Sequence, residues 1–158
     1  MAPDEPNDRD DESKKERIDR ELIELLNDAR VALPGVQVLF AFLLVVPFNQ
    51  RFVELTSAER WVYYAALLST ALAAALLIAP SSYHRLRFRQ GDKAQMLKTA
   101  NRLAIAGTVF LALAMTAAVF LVTEVVFDDL AAALVAGGVA GLFGWFWYGL
   151  PLSRRAVD

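Results

Sequence analysis

Apolar and polar positions in this chain fall into separate blocks. Residues 1–30 are charged almost throughout, and beyond them four apolar stretches alternate with short polar ones, at about 31–48, 61–79, 103–122 and 130–150. The first holds roughly eighteen residues, and at 1.5 Å each it reaches about 27 Å, just enough for the hydrocarbon core of a bilayer. The pattern predicts an all-α membrane protein, a four-transmembrane-helix bundle behind an N-terminal amphipathic cytosolic helix. Local signals mark the ends. Thr56 with Glu59 forms a capping-box pair ahead of the second span, and Pro80 is expected to stop that span. Asp92 with Gln95 repeats the capping logic for a third helix of about thirty residues, one that starts in water and runs on through 103–122. Asp128 or Asp129 caps the fourth, which Pro151 is expected to end.

The polar arm divides in two. Residues 1–13 carry Asp4, Glu5, Asp8, Asp10, Asp11 and Glu12 against Arg9, with no large apolar residue after Met1. Nothing there offsets the entropy of ordering, so a disordered acidic tail is expected. Over 14–30, Ile18, Leu22, Leu25 and Ala29 recur at helical spacing, widened by Ile23 and Leu26. Glu16–Arg20, Arg17–Glu21 and Arg20–Glu24 support that helix at i,i+4. Its apolar face suits the bundle or the lipid headgroups; a short coiled-coil seam between subunits is the sharper alternative. Residues 31–152 form the membrane domain and 153–158 a cytosolic tail.

Two prolines bracket the first span. Pro34 has no N–H for the Arg30 carbonyl, which predicts an elbow turning the cytosolic helix into the span, and Pro47 releases the carbonyl of Leu43 near the far edge. Gln37 lies about one turn inside the elbow and is the one amide in the spans, expected to seek a helix-to-helix hydrogen bond.

Composition sharpens the picture. The 158 residues make one domain, 56% hydrophobic and 22% charged, and the net charge of −2 averages opposed blocks. With no cysteine, disulfides and thiolate chemistry are excluded. The single histidine, His84, leaves too little nitrogen ligation for an ordinary zinc or haem site, so no cofactor is expected; His84 itself reads as an interfacial, hydrogen-bonded residue. The polar opening is unlike a cleavable signal peptide, so the first span should remain as an anchor.

Of sixteen lysines and arginines, only Arg51 and Arg60 lie between spans one and two and none lies in 123–129, which carries Glu124, Asp128 and Asp129. The rest fall in the arm, the segment 80–102 and the C-terminal tail. The positive-inside rule then places both termini and the central loop in the cytoplasm, with the protein multi-pass in the membrane. Trp61, Tyr63 and Tyr64 would mark the outer interface, and Trp145, Phe146, Trp147 and Tyr148 the inner one.

Candidate chemistry is sparse. The central loop reads Ser81-Ser82-Tyr83-His84-Arg85-Leu86-Arg87-Phe88-Arg89-Gln90-Gly91. Arg85, Arg87, Arg89 and Lys93 suit anionic lipid headgroups. Nucleic acid is not expected, because the acidic tail would compete for the same loop. Within or beside the spans the polar candidates are Gln37, Thr108, Thr116 and Glu124, the last at the outer edge. No acid or histidine lies at mid-membrane, where an ion-coupled carrier generally holds one. Small residues recur every fourth position: Ala65, Ser69 and Ala73; Ala66, Thr70 and Ala74; Ala104, Thr108, Ala112 and Thr116; Ala133, Gly137 and Gly141. Such stripes let helices approach closely, and the run including Gly137, Gly141 and Gly144 is the candidate for a homo-oligomer contact. No nucleophile–base set and no phosphate loop is present, so an enzyme is not expected.

The run Glu24-Leu25-Leu26-Asn27-Asp28-Ala29-Arg30-Val31 into Gly35-Val36-Gln37-Val38-Leu39-Phe40-Ala41-Phe42-Leu43-Leu44 resembles an actinobacterial family of small four-span membrane proteins. So do Ala75-Leu76-Leu77-Ile78-Ala79-Pro80 and His84-Arg85-Leu86-Arg87-Phe88-Arg89-Gln90-Gly91. The resemblance covers about residues 20–152. That family is catalogued as a domain of unknown function, and some members carry a sodium:proton antiporter label. It implies no catalytic or transport residues.

These features favour a structural or regulatory membrane scaffold, homo-oligomeric, that presents cytosolic elements to a protein partner. The alternative is a small ion or solute transporter or channel formed by an oligomer, lined by Gln37, Thr108 or Thr116. A lipid-binding role for the basic loop comes third.

Overall fold

The computed structural model describes residues 7–87 and 93–155, and its regular structure there is helical throughout. Helix α1 covers Asn7–Val45, α2 Ser57–Arg87, α3 Lys93–Val126 and α4 Asp129–Phe143. A π-helical turn, Gly144–Gly149, leads into a last short helix, α5, Leu150–Arg155. Four segments are long and apolar enough to cross a membrane: Glu16–Phe48, Ser57–Tyr83, Gln95–Val126 and Asp129–Gly149. The protein is therefore an all-α, multi-pass membrane bundle of four helices.

α1 is one element where several were expected. It enters the acidic stretch, starting at Asn7, and passes both the junction near residue 30 and Pro34 without a break in the helix. An aspartate-rich segment at the amino end of a helix is favoured by the macrodipole, which offsets part of its ordering cost. Residues 1–6 of the acidic tail lie outside the described part. At Pro34 a single missing N–H costs one hydrogen bond, which an apolar helix in lipid tolerates where a water-exposed one would break.

The same logic corrects the two expected stops. α2 continues through Pro80, which is buried, to Arg87. α5 contains Pro151, because the preceding turn widens so that the N–H of Leu150 reaches the carbonyl of Trp145, five residues back. A π-turn of this kind absorbs the backbone crowding a proline imposes. The caps behave as expected where described. Thr56 and Glu59 exchange side-chain-to-backbone hydrogen bonds, and Asp128 accepts from the N–H of Ala131 at 2.8 Å. Asp92 lies outside the described residues.

Packing follows a period of 3.5 residues. α1 buries Leu22, Ala29, Val36 and Leu43, each seven apart. α2 buries Tyr63, Ala66, Thr70, Ala73, Leu77 and Pro80, in alternating steps of three and four. α3 buries Met96, Ala100, Gly107 and Ala114. This is the seam of helices that cross at a shallow angle of about 20°. Val36 meets Ala73 and Leu77 in one cluster, and Leu43 meets Tyr63 and Ala66 in another, so α1 and α2 are antiparallel. α3 reverses direction again, and its Gly107 admits the side chain of Leu77: a Cβ there would lie 2.8 Å from Leu77 Cγ.

α4 is placed differently. It packs on α3 and on neither α1 nor α2 among the described residues, burying only Ala132 and Ala136. The bundle is thus a three-helix core with a fourth helix laid along one side. The amino ends of α1 and α3, the carboxy end of α2 and α5 share one end of it; the turns at Val46–Phe48 and Gln50–Glu54 and the α3–α4 junction share the other.

Candidate functional site

At the end where α1 begins, α1 and α3 run well past a single span. With 39 and 34 residues they measure about 58 and about 51 Å, against roughly 30 Å of hydrocarbon. Between their extended halves lies a groove of about 880 Å³, floored in part by Leu77 of α2. Its α1 wall carries Glu21, Glu24 and Asp28, and its α3 wall carries Lys98 and Asn101. Deeper in, the lining becomes apolar, with Ala29, Ala32, Ala104 and Ile105, and Thr108 lies among them. The groove therefore crosses from charged to apolar surroundings along its own length.

Local sequence explains the arrangement. The seven-residue seam that turns Leu22 and Ala29 inward also rotates Glu21, Glu24 and Asp28 to the flank of α1. Arg17 Nε binds Glu21 Oε1 at 2.9 Å, one of the i,i+4 pairs expected from the sequence, and both side chains are well exposed. Glu24, Asp28 and Lys98 form no ion pair among the described residues. Glu24 and Asp28 on one wall and Lys98 on the other thus face one space without reaching each other.

The residues singled out in the sequence do not converge. Gln37 is exposed, beside fully buried Val36, and makes no hydrogen bond among the described residues. The expected helix-to-helix bond fails because the seam is set by Val36, and the next residue lies about 100° further round the helix. Thr108 instead supplies an interhelical bond. Its hydroxyl donates to the Ile105 carbonyl at 2.8 Å and lies 2.9 Å from the Tyr148 hydroxyl, so Tyr148 donates to Thr108 and ties the fourth span to α3. Thr116 is half-buried and has no hydrogen bond among the described residues. At the opposite end Glu124 has one buried oxygen, Oε2, with no hydrogen-bond partner, and the acids in its surroundings are Glu59 and Asp129. No group of three acids or histidines among the described residues is placed to hold a metal ion.

The glycine run of α4 faces outward. A Cβ at Gly137, Gly141 or Gly144 would meet nothing within 4 Å, so these residues do not serve packing within the chain. Gly107, which does, lies within the α3 stripe but was not a stripe position, since the stripe was phased on Ala104 and Thr108. On α2 the buried set likewise combines Ala66 and Thr70 with Ala73 and Leu77, taking members from both four-spaced stripes. Arg89 lies outside the described residues, as do the side chains of Arg85, Arg87 and Lys93 and of His84, so the basic loop's headgroup reading lies there too.

Of the aromatics expected at the outer interface, Tyr63 is buried within the bundle. Its hydroxyl donates to the Leu43 carbonyl at 2.9 Å, and Phe52 packs edge-on against its ring at 5.2 Å. That carbonyl is the one Pro47 leaves unbonded, so the demand was visible in the sequence although its donor was not. Trp61, Tyr64, Trp145 and Phe146 do face outward.

Among protein families, the model of a family of unknown function (DUF6328) matches residues 11–151. No curated protein and no solved structure matches the chain.

Proposed function

The chain belongs to this family of unknown function, and from that premise we propose that it is a membrane scaffold, anchored by four spans, that presents the extended halves of α1 and α3 to a cytosolic protein partner. The observation that carries this reading is length. α1 and α3 each exceed a bilayer crossing by about 20 Å or more, and both surpluses fall at one end of the bundle. Apart from Arg51 and Arg60, every lysine and arginine belongs to that end, so the positive-inside rule orients it toward the cytoplasm of a bacterial plasma membrane, with both termini on that side. The open face at Gly137, Gly141 and Gly144 supports a homo-oligomer, since close helix contact is what such a face permits. The reading includes no reaction: the protein acts by holding surfaces together.

Removing residues 7–30 tests it. The truncated protein should insert and remain folded, because α3 keeps its packing on α2 and on α4, yet lose the proteins that co-purify with the full chain from native membrane. An unchanged set of partners would sink the scaffold reading.

One observation favours a second reading, an oligomeric ion or solute transporter: Glu124 Oε2 is buried and unpaired at the end opposite the groove. Gradient-driven flux in liposomes that is lost in Glu124→Gln would replace the scaffold with a carrier. The outward position of Gln37 and the bonded state of Thr108 weigh on the other side.

A further inference from the structure

We propose that the groove between α1 and α3 binds a phospholipid whose headgroup carries a primary ammonium as well as a phosphodiester, an ethanolamine-type zwitterion, from the leaflet at that end of the bundle. The inference goes beyond the scaffold reading and does not depend on it.

Position comes first. Over the groove's length the lining passes from charged side chains to Ala29, Ala32, Leu77 and Ile105. Asp28 lies only three residues before Val31, where the apolar stretch of α1 begins, and Asn101 only two before Leu103, where that of α3 begins. The charged part therefore sits at headgroup depth and the apolar part at acyl depth. A space of about 880 Å³ that straddles this boundary is filled by something amphiphilic, because water is expelled from its apolar half and hydrocarbon from its charged half.

Charge then selects the head. Arg17 is engaged by Glu21. Glu24 and Asp28, one helical turn apart on α1, are left with Lys98 across the groove, and none of the three has an ion pair among the described residues. Lys98 offsets only one of the two carboxylates, so a net-anionic headgroup is repelled. An ammonium between Glu24 and Asp28 gives both carboxylates an N–H donor, while the phosphodiester of the same molecule accepts from Lys98 and from the Asn101 amide. A quaternary choline head brings equal charge but no N–H, so it forms no charge-assisted hydrogen bond with either carboxylate. The site thus discriminates by hydrogen-bond donation as well as by charge.

The test uses the full chain reconstituted in vesicles with equal parts of ethanolamine, choline and glycerol phospholipids, then released into detergent. Retained lipid is read by native mass spectrometry. The wild-type protein should retain the ethanolamine lipid above its share. The double variant Glu24→Gln, Asp28→Asn should lose that enrichment about tenfold, the change expected when charge-assisted hydrogen bonds are weakened. Lys98→Met should lower it by a smaller factor, and Ala104→Phe, which narrows the apolar floor, should reduce retention of all three lipids. Glu24, Asp28 and Lys98 are exposed, so helical content and melting should be unchanged; if the double variant fails to fold, Lys98→Met carries the test alone. Retained lipid that mirrors the vesicle, enrichment of the glycerol or choline lipid, or enrichment unaltered in the variants would overturn the proposal.

Discussion

α2 and α4 are both apolar enough to span a bilayer, and they meet opposite surroundings. Of the most apolar window of α2, 28% is buried inside the bundle; of that of α4, only 11%. The more buried helix carries a tyrosine, a threonine and a proline on its inward face, whereas the outlying one is alanine, glycine, leucine and valine between Asp129 and Phe143. Burial in this bundle does not follow hydropathy, because the windows of α1 and α3 are more apolar than that of α2 and only 11% buried. Lipid satisfies leucine as well as a protein interior does, and what draws a helix inward is close fit and bonded polar groups. α2 has both. Leu77 fills the gap at Gly107, Thr70 bonds the Ala66 carbonyl at 2.8 Å, and Tyr63 bonds Leu43. α4 has one interior face, against α3, and its span adds a single polar tie, Tyr148 to Thr108.

Substitutions can break that contrast in order of size. Gly107→Leu should have the largest effect, about 3 kcal/mol, since Leu77 is almost fully buried and has nowhere to retreat; denaturant titration in mixed micelles reads it. Tyr63→Phe keeps the ring and strands the Leu43 carbonyl, with a loss of about 1–2 kcal/mol in the same titration. Tyr148→Phe should cost about 0.6 kcal/mol and loosen only the fourth span, detectable as faster amide exchange in α4 with α1–α3 unchanged. Gly141→Leu should leave monomer stability within about 0.5 kcal/mol while shifting the assembly on native gels. If Gly141→Leu proved as damaging to the monomer as Gly107→Leu, the distinction between a core helix and an outlying one would fall. An assembly unchanged by Gly141→Leu would instead show that subunits meet elsewhere.

Much of the fold was legible because membrane spans are written in composition. Four apolar blocks, the capping box at Thr56 and Glu59 and the cap at Asp128 all appear where residue chemistry demands them. The prolines misled in a consistent way. Pro80 and Pro151 read as stops, but helices continue through both; Pro34 reads as an elbow and lies inside a continuous α1. Helix phase was the other loss. A four-spaced stripe of small residues marks a face that could pack without saying which neighbour takes it: the Gly137–Gly141 face stays open, while Gly107, at no stripe position, takes Leu77. The groove was hidden for a related reason. Glu24 and Asp28 on α1 lie 74 and 70 residues before Lys98 on α3, and the three become one lining only once the seams of α1 and α3 are in register.

The unbroken course of α1 gives the molecule a mechanical character. A single helix of 39 residues makes arm and span one element, with Val36 packed against Ala73 and Leu77. The arm therefore joins the bundle through continuous hydrogen-bonded helix rather than through a loop, and its orientation is coupled to the packing of Val36 and Leu43 on α2.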